Sequence, residues 1–302
     1  MRRGHLVLSC ILLGFVIVAS CSPRRATSPD VRSHGLGTPT SAGAGVRARP
    51  SPGPRTSRGP SFTPSTVSPS SCATPVGTSR RRAAGTGPNG SHTNTGTPAV
   101  ALTFDDGPDP VNTPRILDVL AQCGVRATFC LEGAKAQMYP DVVRRIYSEG
   151  HALCNHTWRH IRQLGTYGKP RIRQDLSDTN NAIHAIVPDA VISYFRAPGG
   201  AWTDDYVTVA QELGMTPIHW DVDPSDWDSD RYGSGQAMTN HIVNEVQSQI
   251  RPGSIVLSHD FQKPDTTAAY RVLLPWLIAR FTLIALPPGG LPRPGRLPLP
   301  SL

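Results

Sequence analysis

Short apolar runs alternate with amphipathic segments between positions 97 and 286 of this 302-residue chain. The apolar runs are short enough for buried strands, and the segments between them repeat apolar residues at helical spacing. The predicted strands are 100–104, 126–131, 151–154, 192–195, 216–220, 254–257 and 281–286, and the predicted helices are 114–123, 141–148, 171–186, 204–213, 235–249 and 268–279. Thr113 is the expected N-cap of the first helix. Seven unalternating strands separated by helices favour an α/β fold, a distorted (β/α) barrel of parallel strands, complete or incomplete.

The chain outside this region has a different composition. Residues 22–96 hold 13 Ser, 11 Thr, 11 Pro and 11 Gly with almost no aliphatic periodicity, so they cannot bury enough apolar surface to offset the entropy of ordering. We expect a disordered linker over 22–96, one catalytic domain over 97–286 and a Pro-rich tail over 287–302.

The formal charge of +8 lies in the linker rather than in the domain. Ten arginines and one acid in 22–96 contribute +9, and Arg2 and Arg3 bring this to +11, which leaves −3 for the rest of the chain. A basic groove for nucleic acid is therefore not predicted. The linker is either a solvated tail or a segment attracted to anionic wall polymers or lipid head groups.

The N-terminus has the pattern of an export signal over 1–21. Arg2 and Arg3 precede an apolar run at 6–18, and two small residues lead to Cys21. A run this short favours a cleaved signal over a membrane-spanning helix. The ending resembles the bacterial lipoprotein box, which implies lipidation of Cys21; an ordinary secretory signal and an uncleaved anchor are the alternatives. We expect the domain to lie outside the cytoplasm, at the membrane through a lipid anchor, in the wall or secreted.

Three cysteines lie in the domain, Cys123, Cys130 and Cys154, and no CxxC spacing is present, so a cysteine zinc site is not expected. In an oxidising compartment, one disulfide and one remaining thiol are allowed. Burial of all three as small apolar side chains is equally consistent with the sequence.

Polar clusters follow most of the predicted strands, at the edge where parallel α/β folds place their active sites. Asp105 and Asp106 follow the first strand. Successive side chains of an extended segment point to opposite sides, so one carboxylate could serve a metal and the other a water, although a DDG turn is also ordinary turn chemistry. His156 and His160 are four residues apart, which on a helical turn would place both imidazoles on one face as metal ligands. One aspartate and two histidines would leave positions open for water and substrate.

Four further residues extend the candidate chemistry. His259 follows an apolar strand and could act as a general acid, because imidazole titrates near neutral pH. Asp226 could orient that histidine, and Arg196 could pair with a carboxylate such as Asp105. Trp227 could form an apolar wall. Alone, His259 is equally consistent with a structural role, and residues such as Arg196, Asp226 and Trp227 are more often structural. Their order at successive strand ends nevertheless favours a catalytic site.

Five ordered motifs resemble those of the polysaccharide deacetylases, the carbohydrate esterase family 4 with a NodB-type domain. They are TFDDGP at 103–108, HTWRH at 156–160, RAPGG at 196–200, DPSDW at 223–227 and LSH at 257–259. The resemblance covers about 97–286. It implies a distorted (β/α) barrel and a divalent metal, commonly zinc, with Co, Ni or Mn as alternatives.

The resemblance also implies a role for each matched residue. The implied catalytic residues are Asp105 as general base, Arg196 as its partner, His259 as general acid and Asp226 as its partner. The implied metal ligands are Asp106, His156 and His160. The implied substrate-binding residues are Gly199, Trp227 and Leu257, the last two around the acetyl methyl group.

One position departs from the family pattern. The third motif often carries an aromatic residue where Gly199 stands, and the family uses the backbone N–H of that residue to stabilise the oxyanion. Glycine keeps the N–H group but loses a side-chain wall.

The expected activity is metal-dependent removal of N-acetyl groups from N-acetylglucosamine-containing polysaccharide, either peptidoglycan or chitin-type oligomers, by a monomer. The alternatives are an O-deacetylase acting on acetylxylan, a catalytically silent carbohydrate-binding module and a wall-anchored spacer. A silent module is disfavoured because every expected acid and ligand is present, and a spacer leaves the five motifs unexplained.

Overall fold

The computed structural model describes residues 85–291. The predicted signal with Cys21, most of the predicted linker and the end of the predicted tail lie outside the described residues. Within residues 85–291, no helix combines the length and the hydropathy needed to cross a bilayer.

Seven parallel strands form one curled sheet in the described part of the chain. They are β1 (Val100–Asp105), β2 (Thr128–Leu131), β3 (Ala152–Asn155), β4 (Tyr194–Phe195), β5 (Thr216–Pro217), β6 (Ile255–His259) and β7 (Leu283–Ile284). The strands pair in the order β5, β4, β3, β2, β1 and β6, and β7 pairs with the start of β1. The predicted number and parallel direction of the strands are confirmed, and the fold is the predicted distorted (β/α) barrel in an incomplete form.

Helices connect successive strands and cover the outside of the sheet. Those of the described residues are α1 (Asn112–Gln122), α2 (Gly133–Met138), α3 (Pro140–Ser148), α4 (Lys169–Ile186), α5 (Asp204–Glu212), α6 (Ser229–Tyr232), α7 (Gln236–Gln249) and α8 (Pro264–Ile278). The six predicted helices are confirmed with ends shifted by a few residues. The short α2 and α6 were not predicted, because neither is long enough for a helical period to repeat.

The start of α1 differs from the prediction. The helix begins at Asn112, so Thr113 lies in its first turn and is not the N-cap. Oδ1 of Asp109 accepts hydrogen bonds from the backbone N–H groups of Val111 and Asn112. The Thr113 hydroxyl accepts from the N–H of Asp109 and donates to Asp260. A side chain three residues before the helix thus satisfies its first N–H groups, which residue spacing alone does not reveal.

Most strand positions are apolar because both faces of the sheet are largely buried. All six positions of β1 are buried. On one face, Phe104 and Phe129 stack at a centroid distance of 5.2 Å in the large cluster beneath the helices. Ala101 lies on the opposite face, in a second, smaller cluster that also contains Tyr194. A sheet buried on both faces gives the unalternating pattern from which the parallel strands were predicted.

Cys130 and Cys154 form a disulfide within the second cluster. They are register partners on β2 and β3, with Cα atoms 4.2 Å apart. Cys123 is half-buried at the end of α1 and is not part of this disulfide. The structure therefore decides between the two interpretations of the domain cysteines in favour of one disulfide.

Residues 85–96 lie against the gap between β5 and β6. Isolated bridges join this segment to the sheet at two points, His92 with Ile218 and Asn94 with Ser254, and a further bridge joins Val222 with Val256. Composition assigns residues 85–96 to the linker, whereas in the structure Ser91 and Thr95 are buried. The Thr95 hydroxyl donates to the backbone oxygen of Ala99, and such hydrogen bonds allow a polar segment to be buried. The structured region thus begins before residue 97.

Candidate active site

A cavity of about 210 Å³ lies at the carboxyl ends of the strands. Its lining residues are Asp105, Asp106, His156, His160, Arg162, Gly199, Trp220, Asp223, Trp227, Leu257 and His259. Eight of the ten site residues predicted in the domain are among them, and the other two, Arg196 and Asp226, are buried. A larger cavity of about 780 Å³ lies beside the first residues of β3 and β7, at the opposite ends of the strands, and contains no predicted site residue.

Asp106, His156 and His160 form a cluster whose potential ligand atoms all lie within 4.8 Å of one another. Oδ1 of Asp106 is 3.3 Å from Nε2 of His156 and 3.5 Å from Nε2 of His160. Two ligands at about 2.1 Å from one tetrahedral ion lie roughly 3.4 Å apart, so this spacing fits a zinc-sized cation. The same carboxylate oxygen is buried without a hydrogen-bond partner among the described residues. A cation would satisfy it, and the residues present therefore fit a divalent metal.

The charges in the cluster also suit a cation. Burial alone would raise the pKa of Asp106, but the neighbouring histidines, His156 foremost, hold that pKa well below its ordinary value. Burial and the charge of His156 lower the pKa of His160 to about 4, which leaves a neutral imidazole. Burial opposes protonation of His156, yet Asp105 and Asp106 raise its pKa, and a bound cation would compete with that proton.

A backbone oxygen orients the first histidine. Nδ1 of His156 lies 2.9 Å from the carbonyl oxygen of Arg196. Because the carbonyl can only accept, the ring donates from Nδ1, and Nε2 is the atom that faces Asp106. Such partners of metal-binding histidines fix both the tautomer and the ring orientation.

Two local predictions about these residues were wrong. His156 and His160 are not on a helical turn: Thr157 and His160 have φ of +69° and +52°, and this turn brings the two rings to a centroid distance of 5.0 Å. Asp105 and Asp106 do not point to opposite sides, since both line the cavity. The strand ends at Asp105, and Asp106 has φ of +72°. Left-handed backbone at non-glycine residues costs about 1–3 kcal/mol each and is concentrated at functional sites.

Arg196 holds Asp105 from behind the cavity. Nη1 of Arg196 donates to Oδ1 of Asp105 at 2.7 Å and to the Thr103 hydroxyl at 2.8 Å, and Nη2 donates to the backbone oxygen of His219 at 3.1 Å. The arginine is 0% exposed, and a guanidinium buried to this extent requires such partners. The other carboxylate oxygen, Oδ2, lies 3.7 Å from Nε2 of His156 and so stands beside the metal cluster.

Asp226 holds His259 in the same manner. Oδ1 of Asp226 lies 2.6 Å from Nδ1 of His259, while Oδ2 accepts from the backbone N–H of His259 and from the Thr266 hydroxyl. Burial alone would lower the pKa of His259, but the Asp226 carboxylate raises it to about 10. The ring is therefore an imidazolium at neutral pH, and it lines the cavity as a proton donor.

The three predicted substrate-binding residues all line the cavity. Leu257 is buried, and Trp227, 51% exposed, lies at the rim. Gly199 lies in the short 3₁₀ turn Pro198–Gly200 with φ of +54°. Among the described residues its backbone N–H donates no hydrogen bond to another backbone group, which leaves this donor for a ligand.

Three further wall residues, Arg162, Trp220 and Asp223, were not among the predicted site residues, although Asp223 begins the DPSDW motif. Trp220 ends the fifth predicted strand and stacks on His219 at a centroid distance of 3.8 Å, so its position at a strand end was an available signal. Arg162 begins the 3₁₀ turn Arg162–Thr166, two residues after His160. Its place depends on how that turn folds back over the cavity, for which the sequence carries no signal.

Comparisons with known proteins agree on one family. Residues 92–218 match the sequence model described as polysaccharide deacetylase. A chitooligosaccharide deacetylase of Sinorhizobium fredii is 42% identical over 174 residues, which cover 58% of this chain and 77% of that protein. A peptidoglycan-N-acetylglucosamine deacetylase of Bacillus cereus is 34% identical over 182 residues, which cover 59% of this chain and 81% of that protein. The crystal structure of a peptidoglycan N-acetylglucosamine deacetylase superposes with a TM-score of 0.59 at 31% identity, covering 66% of this chain and 90% of that one.

Proposed function

This chain belongs to the polysaccharide deacetylase family and is a hydrolase of that family, and from this we propose that it removes N-acetyl groups from N-acetylglucosamine-containing polysaccharide, peptidoglycan or chitin-type oligomers, with the help of a divalent metal. One observation carries the proposal. The cluster of Asp106, His156 and His160, which fits a metal ion, lines the same cavity as the Asp105 carboxylate and the protonated His259.

The metal would be held by Asp106, His156 and His160. Zinc suits a site of two imidazoles and one carboxylate, and Co, Ni or Mn are the alternatives. When bound, such an ion acts as a Lewis acid on the acetyl carbonyl and makes a nearby water easier to deprotonate.

Asp105 would take the proton of the attacking water. Its Oδ1 is fixed by Arg196, so the remaining oxygen, Oδ2, is the acceptor on the side of the metal cluster. As the water oxygen bonds to the acetyl carbon, the water proton passes to this oxygen. Arg196 would thereby act as a positioning residue, since it is fully buried and does not line the cavity.

Gly199 and His259 would serve the later part of the reaction. The backbone N–H of Gly199 would donate to the oxyanion of the tetrahedral intermediate. The His259 imidazolium would give its proton to the amide nitrogen as the carbon–nitrogen bond breaks, which leaves a free amine and acetate. Leu257 and Trp227 would surround the methyl group of the departing acetate.

We also propose that the domain works outside the cytoplasm, as a monomer tethered through a lipid on Cys21. The signal pattern at 1–21 supports export, and the Cys130–Cys154 disulfide is of the kind that oxidising compartments maintain. Mass spectrometry of the mature N-terminus tests the tether: a diacylglyceryl mass on Cys21 supports it, and an unmodified or uncleaved N-terminus contradicts it.

The activity is tested by acetate release from chitin oligomers, peptidoglycan and acetylxylan by the full chain, with and without a chelator. Chelator-sensitive release from either N-acetylated polymer supports the proposal. Preferential release from acetylxylan would indicate an O-deacetylase instead. No release from any of the three by folded, zinc-loaded protein would contradict the proposal and favour either a carbohydrate-binding module or a substrate other than these three.

A further inference from the structure

The Arg162 side chain occupies the space directly above Gly199. A Cβ atom built on Gly199 would lie 2.6 Å from Nε, 2.9 Å from Cζ and 3.1 Å from Nη2 of Arg162. A larger side chain at position 199 could not share this space with the guanidinium. Because Gly199 also has φ of +54°, glycine at this position both permits the turn and leaves room for the arginine.

The Arg162 guanidinium has no acidic partner. Among the described residues it forms no ion pair and no hydrogen bond, although it lines a cavity that contains several carboxylates. Two other cations near the cavity are paired with acids: Arg196 binds Asp105, and Lys135 binds Glu132. Arg162 is also exposed, so its charge is accessible from solvent at the cavity wall.

A guanidinium presents a planar set of N–H donors that matches a carboxylate, and such charge-assisted pairs are among the stronger hydrogen bonds in proteins. Resting on the proposed function, we infer that Arg162 is a specificity-determining residue that binds a carboxylate of the glycan next to the reacting N-acetyl group. The preferred substrate class is therefore an N-acetylated glycan with carboxylates along the chain, as the lactyl groups of peptide-free peptidoglycan strands provide, rather than a neutral chitin oligomer.

A matched pair of substrates tests this inference. One is a glycan-strand oligomer of alternating N-acetylglucosamine and N-acetylmuramic acid with free lactyl carboxylates, and the other is the same oligomer with each carboxylate converted to its methylamide. Acetate release gives kcat and KM for the wild type, Arg162→Ala, Arg162→Lys and the control Arg115→Ala. Arg115 is exposed on α1 and does not line the cavity.

The wild type is expected to favour the carboxylate form by at least about 10-fold in kcat/KM, since a hydrogen-bonded charge contributes roughly 1.5–3 kcal/mol. In Arg162→Ala the ratio of kcat/KM for the two oligomers is expected to fall close to one, mainly through a change in KM. Arg162→Lys is expected to recover part of the wild-type ratio. Arg115→Ala is expected to keep the wild-type preference. Equal turnover of both forms by the wild type, or an equal loss on both forms in Arg162→Ala, overturns the inference.

Titration calorimetry of the two oligomers with the full chain separates this inference from the proposed function. Tighter binding of the carboxylate form that Arg162→Ala abolishes supports the inference even where no acetate is released, and in that case the deacetylase proposal alone fails. Equal binding of the two forms overturns the inference whether or not the protein releases acetate.

Discussion

Nδ1 of His259 lies 2.6 Å from Oδ1 of Asp226, and the other oxygen of that carboxylate accepts from the backbone N–H of the same histidine. The carboxylate therefore fixes both the ring and the backbone of His259. It also sets the charge of the ring, because the pKa of His259 is raised to about 10 chiefly by Asp226 acting against burial. In the free protein the imidazolium persists up to that pH and is lost above it.

Asp226→Asn is expected to move the alkaline limb of the kcat profile toward neutral pH. Without the carboxylate, burial lowers the pKa of His259 to its ordinary value near 6.5 or below, so less of the general acid is protonated. At pH 8 we expect kcat to fall by about 10-fold or more, with a smaller loss at pH 6. Steady-state acetate release between pH 5 and 10 measures this.

Asp230→Asn, an exposed change of the same kind on α6, serves as the control and is expected to keep the wild-type profile. An Asp226→Asn profile with an unshifted alkaline limb would show that His259 is not the titrating acid.

Asp105→Asn is expected to lower kcat by about 10²–10⁴-fold while the metal content stays the same, because the change removes a general base and leaves the metal ligands intact. Asparagine can still accept from Arg196 through Oδ1, so the buried guanidinium keeps a partner. Asp106→Asn is the comparison, and it is expected to lower both kcat and bound metal. Elemental analysis beside acetate release distinguishes the two. Loss of metal from Asp105→Asn would reassign this residue as a ligand.

Removal of the metal is expected to abolish acetate release and to lower Tm. A cation that binds only the folded state stabilises it by about 2.7 kcal/mol when present at 100 times its Kd. His156→Ala and His160→Ala are each expected to reduce bound zinc and to reduce the shift of Tm on adding zinc, as followed by calorimetry. His241→Ala, a half-buried histidine of α7 outside the cavity, is expected to retain both. A zinc-dependent Tm shift that persists in His160→Ala would exclude this residue as a ligand.

Loss of the disulfide is expected to destabilise the domain without altering the cavity residues. Cys130 and Cys154 close a loop with a sequence separation of 24, for which the chain-entropy estimate is about 3.5 kcal/mol. The double change Cys130→Ala and Cys154→Ala is expected to lower the free energy of unfolding by that amount in urea titrations, and a reductant is expected to remove the difference from the wild type. Cys123→Ala changes a cysteine outside the disulfide, and this variant is expected to be destabilised by the reductant as much as the wild type. If a reductant left the stability of the wild type unchanged, the disulfide would not be a source of that stability.

The sequence by itself determined the order of the elements and the chemistry available at the strand ends. Apolar periodicity is a local property, so β1 and α4 could be read from residues within one element. Asp106, His156 and His160 each follow a strand. Because the carboxyl ends of parallel strands lie at one edge of the sheet, the meeting of these three residues could be predicted as well.

The tertiary structure decided how these residues meet. The left-handed backbone of Asp106 turns its carboxylate into the same cavity as Asp105, and no residue pattern encodes that dihedral angle. The pairing of Cys130 with Cys154 required the register of β2 and β3. The position of Arg162 over Gly199 joins segments far apart in the sequence, and such contacts depend on the packing of the whole domain rather than on local propensity.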